Sequence, residues 1–573
     1  SDQITYTLAT TSLSVRVLDG MPTNASLVEG AFAYEGERWC EVIGLDDDGD
    51  PKVRYLDNDS SSAIYAASAI ELCVSSRDHL SETRTATTCI DLSEKNLGPA
   101  DIALVATWVQ RPDVSAAVAS LRCGNNPGMV GELDECGRLK TPDAHAEVFK
   151  QLTDNLKTSQ VTEVDFSSCG IGPVALGHLS EWVRDAEAAL TSINCLMNPI
   201  GEDGLATLVS AVKDSSVRSI CGLTEGQTAA DFSGLGLGPF DCKIMKAEFD
   251  FHGAIAAVAR LILDENPLTG GGTSSTDFDK DITGVVNLCD TLKTSSVTEL
   301  SLAKCRLGPG SMGKLAEYVR DAAVARLILD ENPLTGGAWE DVDKDITGVT
   351  SLFDTLKTSS VTELGLVKCW LGPGSLGKLA EYVHDAKAVL ASVNFSGNPL
   401  TGATYNKKPN QRERWENIDS DLAGFIALCS VLGKLNEVNL SDCHLGPASV
   451  AELAKVFTDA DAVVAHLALG SNPIGDEAMI SLLDIVKDIP LISFDISNTR
   501  CGVSTASKLA ELLSQETKFK AAVARLILNN NPLTGDLYDA DKDISGVANL
   551  FDTLKTSSVT ELDLAKCRLG PGS

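Results

Sequence analysis

ARLILDENPLTGG runs from Ala325 to Gly337, and the same thirteen residues run from Ala259 to Gly271. A third version, ARLILNNNPLTG, begins at Ala524. Inside the stretch apolar residues alternate, so Leu327 and Leu329 are expected to face inward while Arg326, Ile328 and Asp330 face outward, the period of a short strand. Asn332 falls where the strand ends and the chain turns. Its amide is suited to bonding backbone groups of neighbouring turns that lack a ladder partner. Active sites are rarely written three times; a repeated sentence of this kind points to an array.

A second sentence alternates with the first. VTELSLAKCRLGP, around Leu300, recurs around Leu364, Val438 and Leu562, with Cys305 and its counterparts in the place that Asn332 holds in the first type. Counting less regular copies near Ile220 and Phe494, about fifteen units fill residues 87–573. The spacing of Met312, Leu315, Ala316 and Val319 predicts a helix over Ser311–Ala322, with Ser311 as its N-cap. A strand followed by a helix buries its apolar face only by stacking on its neighbours. The expected fold is therefore α/β: a solenoid with a parallel sheet inside and helices outside. The last unit stops at LAKCRLGPGS, where its siblings continue into a helix. Since arrays normally shield their terminal edge, the chain is expected either to run on or to have that edge covered by a partner or a second copy.

The alternation of Asn-type and Cys-type units resembles the leucine-rich repeats of the ribonuclease-inhibitor-like type over roughly residues 85–573. The resemblance implies a curved horseshoe whose concave strand face, rims and loops bind other proteins. The mid-strand outward positions include Ile262, Ile328 and Ile527 among small residues, a mildly apolar surface offered here as one binding face.

Spacing between units locates the parts that differ. A Cys-type strand is followed by the next Asn-type strand after 27 to 29 residues, whereas Val324 to Val361 takes 37 and Leu390 to Leu435 takes 45. The excess lies after the NPL turn, in inserts at 271–281, 337–345, 402–421 and 535–543, all on one rim. Each carries an aromatic: Phe278, Trp339, Tyr405 with Trp415, and Tyr538. The third also carries the one dense basic cluster, Lys407, Lys408, Arg412 and Arg414, a handle for an acidic partner. These nine residues are the candidate rim site; the alternative is that each ring folds back on its own loop. Three inserts contain alternating aspartates: Asp277, Asp279 and Asp281; Asp341, Asp343 and Asp345; Asp539, Asp541 and Asp543. Such residues are weak calcium candidates, because the glycine and glutamate of a calcium-binding EF-hand loop are missing. No metal or other cofactor is expected. The last aspartate is expected to cap the helix that follows it, with the others favouring the same helix dipole.

Residues 26–73 follow another rule, with short β-runs and hairpin turns at Gly36 and Gly49. They resemble the small all-β SH3-like barrels of the Tudor kind, which implies an aromatic cage drawn from Phe32, Tyr34, Trp39 and Tyr55, or a core made of the same rings. Residues 1–25 would be an extension and 74–86 a linker or cap.

Composition narrows the function. The formal charge is −33, with 47 Lys+Arg against 80 Asp+Glu, which disfavours nucleic acid and anionic membrane surfaces as partners. No apolar run is long enough for membrane insertion. The 16 cysteines recur beside apolar residues and read as small buried side chains, consistent with a cytoplasmic, intracellular protein. The seven histidines are scattered, no HExxH or P-loop occurs, and GLGLGP at Gly234 occupies the turn of its own repeat. The sequence therefore predicts no enzyme but a protein-binding scaffold or complex subunit. The runner-up is a GTPase regulator of the Ran-activating type, which shares this repeat class.

Overall fold

The computed structural model describes residues 88–571 without 111–114, 117, 186–188, 272–276, 338–340, 386–391, 407–413, 459–461 and 536–540, together with the backbone of six short strands before them. Four of those strands, Phe32–Glu35, Arg38–Leu45, Pro51–Tyr55 and Ser61–Ala63, pair antiparallel in that order. Their side chains, including Phe32, Tyr34, Trp39 and Tyr55, and the expected barrel closure lie outside the described residues.

The chain forms two compact units, Ser1–Thr228 with Lys243–Val258, and Ala229–Cys242 with Ala259–Ser573. In the second, eleven three-residue strands from Ala229–Asp231 to Glu561–Asp563 pair in parallel and in chain order. The expected strand is Arg326–Ile328, in register with Glu299–Ser301 on one side and Glu363–Gly365 on the other. Leu327 and Leu329 are fully buried, while Arg326 is exposed and Ile328 and Asp330 are half-exposed. Each inward leucine contributes roughly 1.5–3 kcal/mol by leaving water, but only with the next strand alongside.

Helices return the chain between strands. The one expected from Ser311 starts two residues earlier and spans Pro309–Val319. Proline suits a first helical position, where its missing N–H costs nothing. Ser311 is thus a buried first-turn residue, and the N-cap is supplied from elsewhere. Met312, Leu315, Ala316, Tyr318 and Val319 form the buried face.

In the first unit the parallel strands are Thr88–Asp91, Val118–Arg122, Glu163–Asp165 and Ser192–Asn194. The irregular copy near Ile220 makes no strand, only isolated bridges from Ser192 to Ser219 and from Asn194 to Cys221. Its amides are taken by a buried carboxylate instead. Glu248 Oε2 accepts from Ile220 N–H at 2.7 Å, Cys221 N–H at 2.9 Å and Ser219 Oγ at 3.0 Å, while Oε1 accepts from Ile255 N–H at 3.0 Å. Burial pushes the Glu248 carboxyl above its usual range, and these donors oppose that rise. Gly222, at φ +80°, completes the detour; a Cβ there would meet Asn194 Cβ at 2.9 Å.

Candidate protein-binding surface

The repeated sentence supplies two clips that hold successive units. Asn398 is fully buried; its Oδ1 accepts from Cys369 N–H at 2.9 Å and Leu371 N–H at 3.1 Å, and its Nδ2 donates to Leu366 O and Phe395 O, each at 2.7 Å. Asn198, Asn472 and Asn531 do the same for their preceding units. In Cys-type units the thiol makes a simpler bond, as when Cys305 Sγ donates to Leu263 O at 3.1 Å. Burial pushes these thiols up, and all fourteen described cysteines are free, twelve of them buried. The threonine of NPLTG is the second clip: Thr269, Thr335 and Thr534 donate to the carbonyls of Arg306, Trp370 and Arg568 at 2.8, 3.0 and 2.8 Å.

The insert aspartates divide their labour differently from the expectation. Asp281, Asp345 and Asp543 do precede and cap the following helix, accepting from the N–H and hydroxyl of Thr283, Thr347 and Ser545. The middle aspartate caps a different helix, one unit onward. Asp343 accepts from Gly372 N–H at 2.9 Å, Gly374 N–H at 2.7 Å, Ser375 N–H at 3.0 Å and the Ser375 hydroxyl. Asp279 serves Gly308, Gly310 and Ser311 in the same way, Asp419 serves Gly446, Ala448 and Ser449, and Asp541 reaches Gly570. Asp143 and Asp476 play this part in units with other inserts or none. The orphan amides of a helix start are thereby satisfied by a carboxylate that also answers the helix dipole. The first aspartates, Asp277 and Asp341, pair with Lys280 and Lys344 at 3.4 and 3.1 Å. Asp539 lies outside the described residues.

These caps fix where the inserts rest. Phe278, half-buried beside the capping Asp279, lies over Gly308, the place that Val342 takes over Gly372 and Ile418 over Gly446. It is the apolar foot of its insert, set against the following unit and not against its own loop. The 402–421 insert rises as an antiparallel hairpin, Thr404–Asn406 with Arg414–Glu416, in which Tyr405 faces Trp415. Their rings meet edge to face at 5.4 Å, and Trp415 stacks on His444 at 3.8 Å. Burial lowers the His444 imidazole from 6.5 to about 4, so it is neutral under the indole. Arg414 is exposed and bonds Glu416 at 2.8 Å. Trp339, Lys407, Lys408, Arg412 and Tyr538 lie outside the described residues.

On the sheet face, Ile262, Ser301, Ile328, Gly365, Asn394, Asn439, Ala468, Asp495, Ile527 and Asp563 form one row in unbroken register. In the row beside it arginines pair with glutamates of the next strand: Arg260 with Glu299 at 3.5 Å, Arg326 with Glu363 at 3.1 Å, and Arg525 with Glu561 at 3.0 Å. Position along the period gave the isoleucines; the ion-pair row could have been read from the same alternation of R-L-I and E-L-x. The trans-capping aspartates had no such signal, since each partner is some thirty residues away.

A family model described as Leucine Rich repeat matches residues 464–483. The ribonuclease inhibitor of Mus musculus is 24% identical over 450 residues, covering 72% of this chain and 85% of its own length. Among solved structures, an internalin from Listeria monocytogenes is similar over 81% of this chain and 95% of its own, at 14% identity and a TM-score of 0.33. A leucine-rich repeat-containing protein from Legionella pneumophila covers 58% and 92%, at 17% identity and a TM-score of 0.32. The chain is a leucine-rich-repeat protein with distant homology to ribonuclease inhibitor. No helix among the described residues is long and apolar enough to cross a membrane.

Proposed function

We propose that this protein is a non-enzymatic scaffold or complex subunit that binds other proteins through its insert-bearing rim and its sheet face. The supporting observation is the hairpin of Thr404–Asn406 with Arg414–Glu416: the Tyr405, Trp415 and His444 rings stack at its base, and the sequence between its strands carries the one dense basic cluster of an otherwise acidic chain. Arg, Trp and Tyr are the residues that dominate interfaces. Trp339, Tyr538, Lys407, Lys408, Arg412 and Arg414 are the rim groups assigned to a partner with an acidic face, and Ile262, Ile328 and Ile527 those of the sheet face. Residues 26–73 fit the same reading as a small barrel that docks a peptide. Free, buried thiols suit a cytoplasmic setting.

Affinity capture with the full chain tests this. A partner retained by the native protein is expected to be lost when 407–413 is replaced by a Gly/Ser linker or Trp415 is changed to Ala. Retention of every partner after both changes would remove the rim as the site.

A further inference from the structure

The two identical copies, 259–271 and 325–337, flank the unit that carries Ser301, and register turns them into a pair of brackets: Ile262, Ser301 and Ile328 in one row, Arg260, Glu299 and Arg326 in the next. Neighbouring strands are about 4.8 Å apart, so the copies face each other across roughly 10 Å. Between them is a cavity of about 260 Å³ whose floor is Ser301 and whose walls are the two isoleucines, with Asp264 and Asp330 at one edge and the arginines at the other.

The edges are not electrically equivalent. The arginines are neutralised by Glu299 and Glu363. Asp264 Oδ1 accepts from Ser301 Oγ at 2.7 Å and Ala303 N–H at 2.8 Å, and Asp330 Oδ1 accepts from Val367 N–H at 2.9 Å. Among the described residues, no lysine or arginine forms an ion pair with either carboxylate. Burial raises the Asp330 carboxyl, and the charges of Asp264 and Glu331 add to that rise, opposed by the Val367 N–H and by Arg326. The third copy lacks this feature: Asn529 replaces the aspartate and donates to Asp563 at 2.6 Å.

We propose that this cavity receives a lysine side chain of a protein partner, its methylenes against Ile262 and Ile328 and its ammonium between Asp264 and Asp330. The proposal rests on the protein-binding reading above and names the chemistry of one docking point. A lysine stem buries apolar length while its head needs three acceptors, which the second oxygens of the two carboxylates and Ser301 Oγ offer.

The full chain, labelled with ¹³C at isoleucine δ1 methyls, is titrated with n-butylammonium chloride and followed by NMR. Ile262 and Ile328 are expected to shift together and saturably, with Ile527 as an unmoved internal control, and 1-butanol is expected to give no saturable shift. The double variant Asp264→Asn, Asp330→Asn keeps the oxygens that accept from Ser301, Ala303 and Val367. It is expected to weaken the effect by roughly tenfold or more while leaving the other methyls in place. No saturable shift, an equal shift at Ile527, or an unaltered response of the double variant would overturn the proposal. Partner capture that still depends on Trp415 would then leave the scaffold reading intact.

Discussion

Replacing Asn398 by alanine removes one clip and leaves the strand, helix and turn around it chemically unchanged. Three buried backbone groups lose their partner, the Cys369 and Leu371 N–H donors and the Leu366 carbonyl, while the Phe395 carbonyl keeps only the Cys443 thiol at 3.2 Å. An unsatisfied buried donor costs about 1–3 kcal/mol, and carbonyls less because they keep a second lone pair, so the expected loss is about 3–5 kcal/mol. Repeat arrays lose stability between neighbours, so the damage should be local. Native-state hydrogen exchange followed by mass spectrometry reads it directly. Peptides containing Cys369 and Leu371 should exchange roughly a hundredfold faster or more, since each 1.4 kcal/mol is tenfold, while those containing Cys443 and Leu445, held by Asn472, should be unaffected. Asn394→Ala, at the last residue of the same strand on the outward row, removes only the acceptor for Ser396 N–H at 3.0 Å and should change exchange little. If the two variants behaved alike, or Asn398→Ala left exchange at 366–371 unchanged, the clip would not be what joins the units.

Three further outcomes follow from the geometry. Asp343→Ala should lower stability by about 1–2 kcal/mol through loss of a helix cap, and millimolar calcium should leave the melting temperature of the native protein unmoved; a rise with calcium would return these aspartates to metal binding. The folded state disfavours the His444 imidazolium, so the unfolded chain takes up that proton first: its contribution to stability is complete above 6.5 and declines as pH falls toward 4. Trp415→Ala should move the His444 titration, followed by NMR, back up toward 6.5, and an unmoved titration would separate the ring stack from the burial. With iodoacetamide, the exposed Cys136 should be alkylated well before buried Cys305 and Cys443, as mass spectrometry of the digested protein would show.

How much was legible in the chain follows from the range of each signal. Strand, ladder residue and turn are local and repeated, so Leu327, Asn332 and Cys305 could be placed from period alone. The array's break near Ile220 could not, because the group that replaces its ladder, Glu248, comes from a later helix. The cap on Pro309–Val319 was assigned to Ser311 because serine is a common N-cap. The true acceptor, Asp279, lies some thirty residues upstream and was read as helping a nearer helix. Phe278 was grouped with the rim aromatics by composition, but its position matches Val342 and Ile418, which marks it as packing. The insert's length marks Trp415 as part of an insertion, whereas the ring beneath it, His444, is an ordinary repeat position whose value appears only once the hairpin folds onto it.

Partners are expected to engage the inserts and the sheet face rather than the helices. Hydrogen exchange of the full chain, free and in complex with the protein that copurifies with it, measures this most directly. Protection of 402–421 and of strands such as Arg260–Ile262 and Arg326–Ile328 is the predicted result. Protection confined to helices such as Pro309–Val319 and Pro447–Val456, with the inserts unchanged, would contradict it.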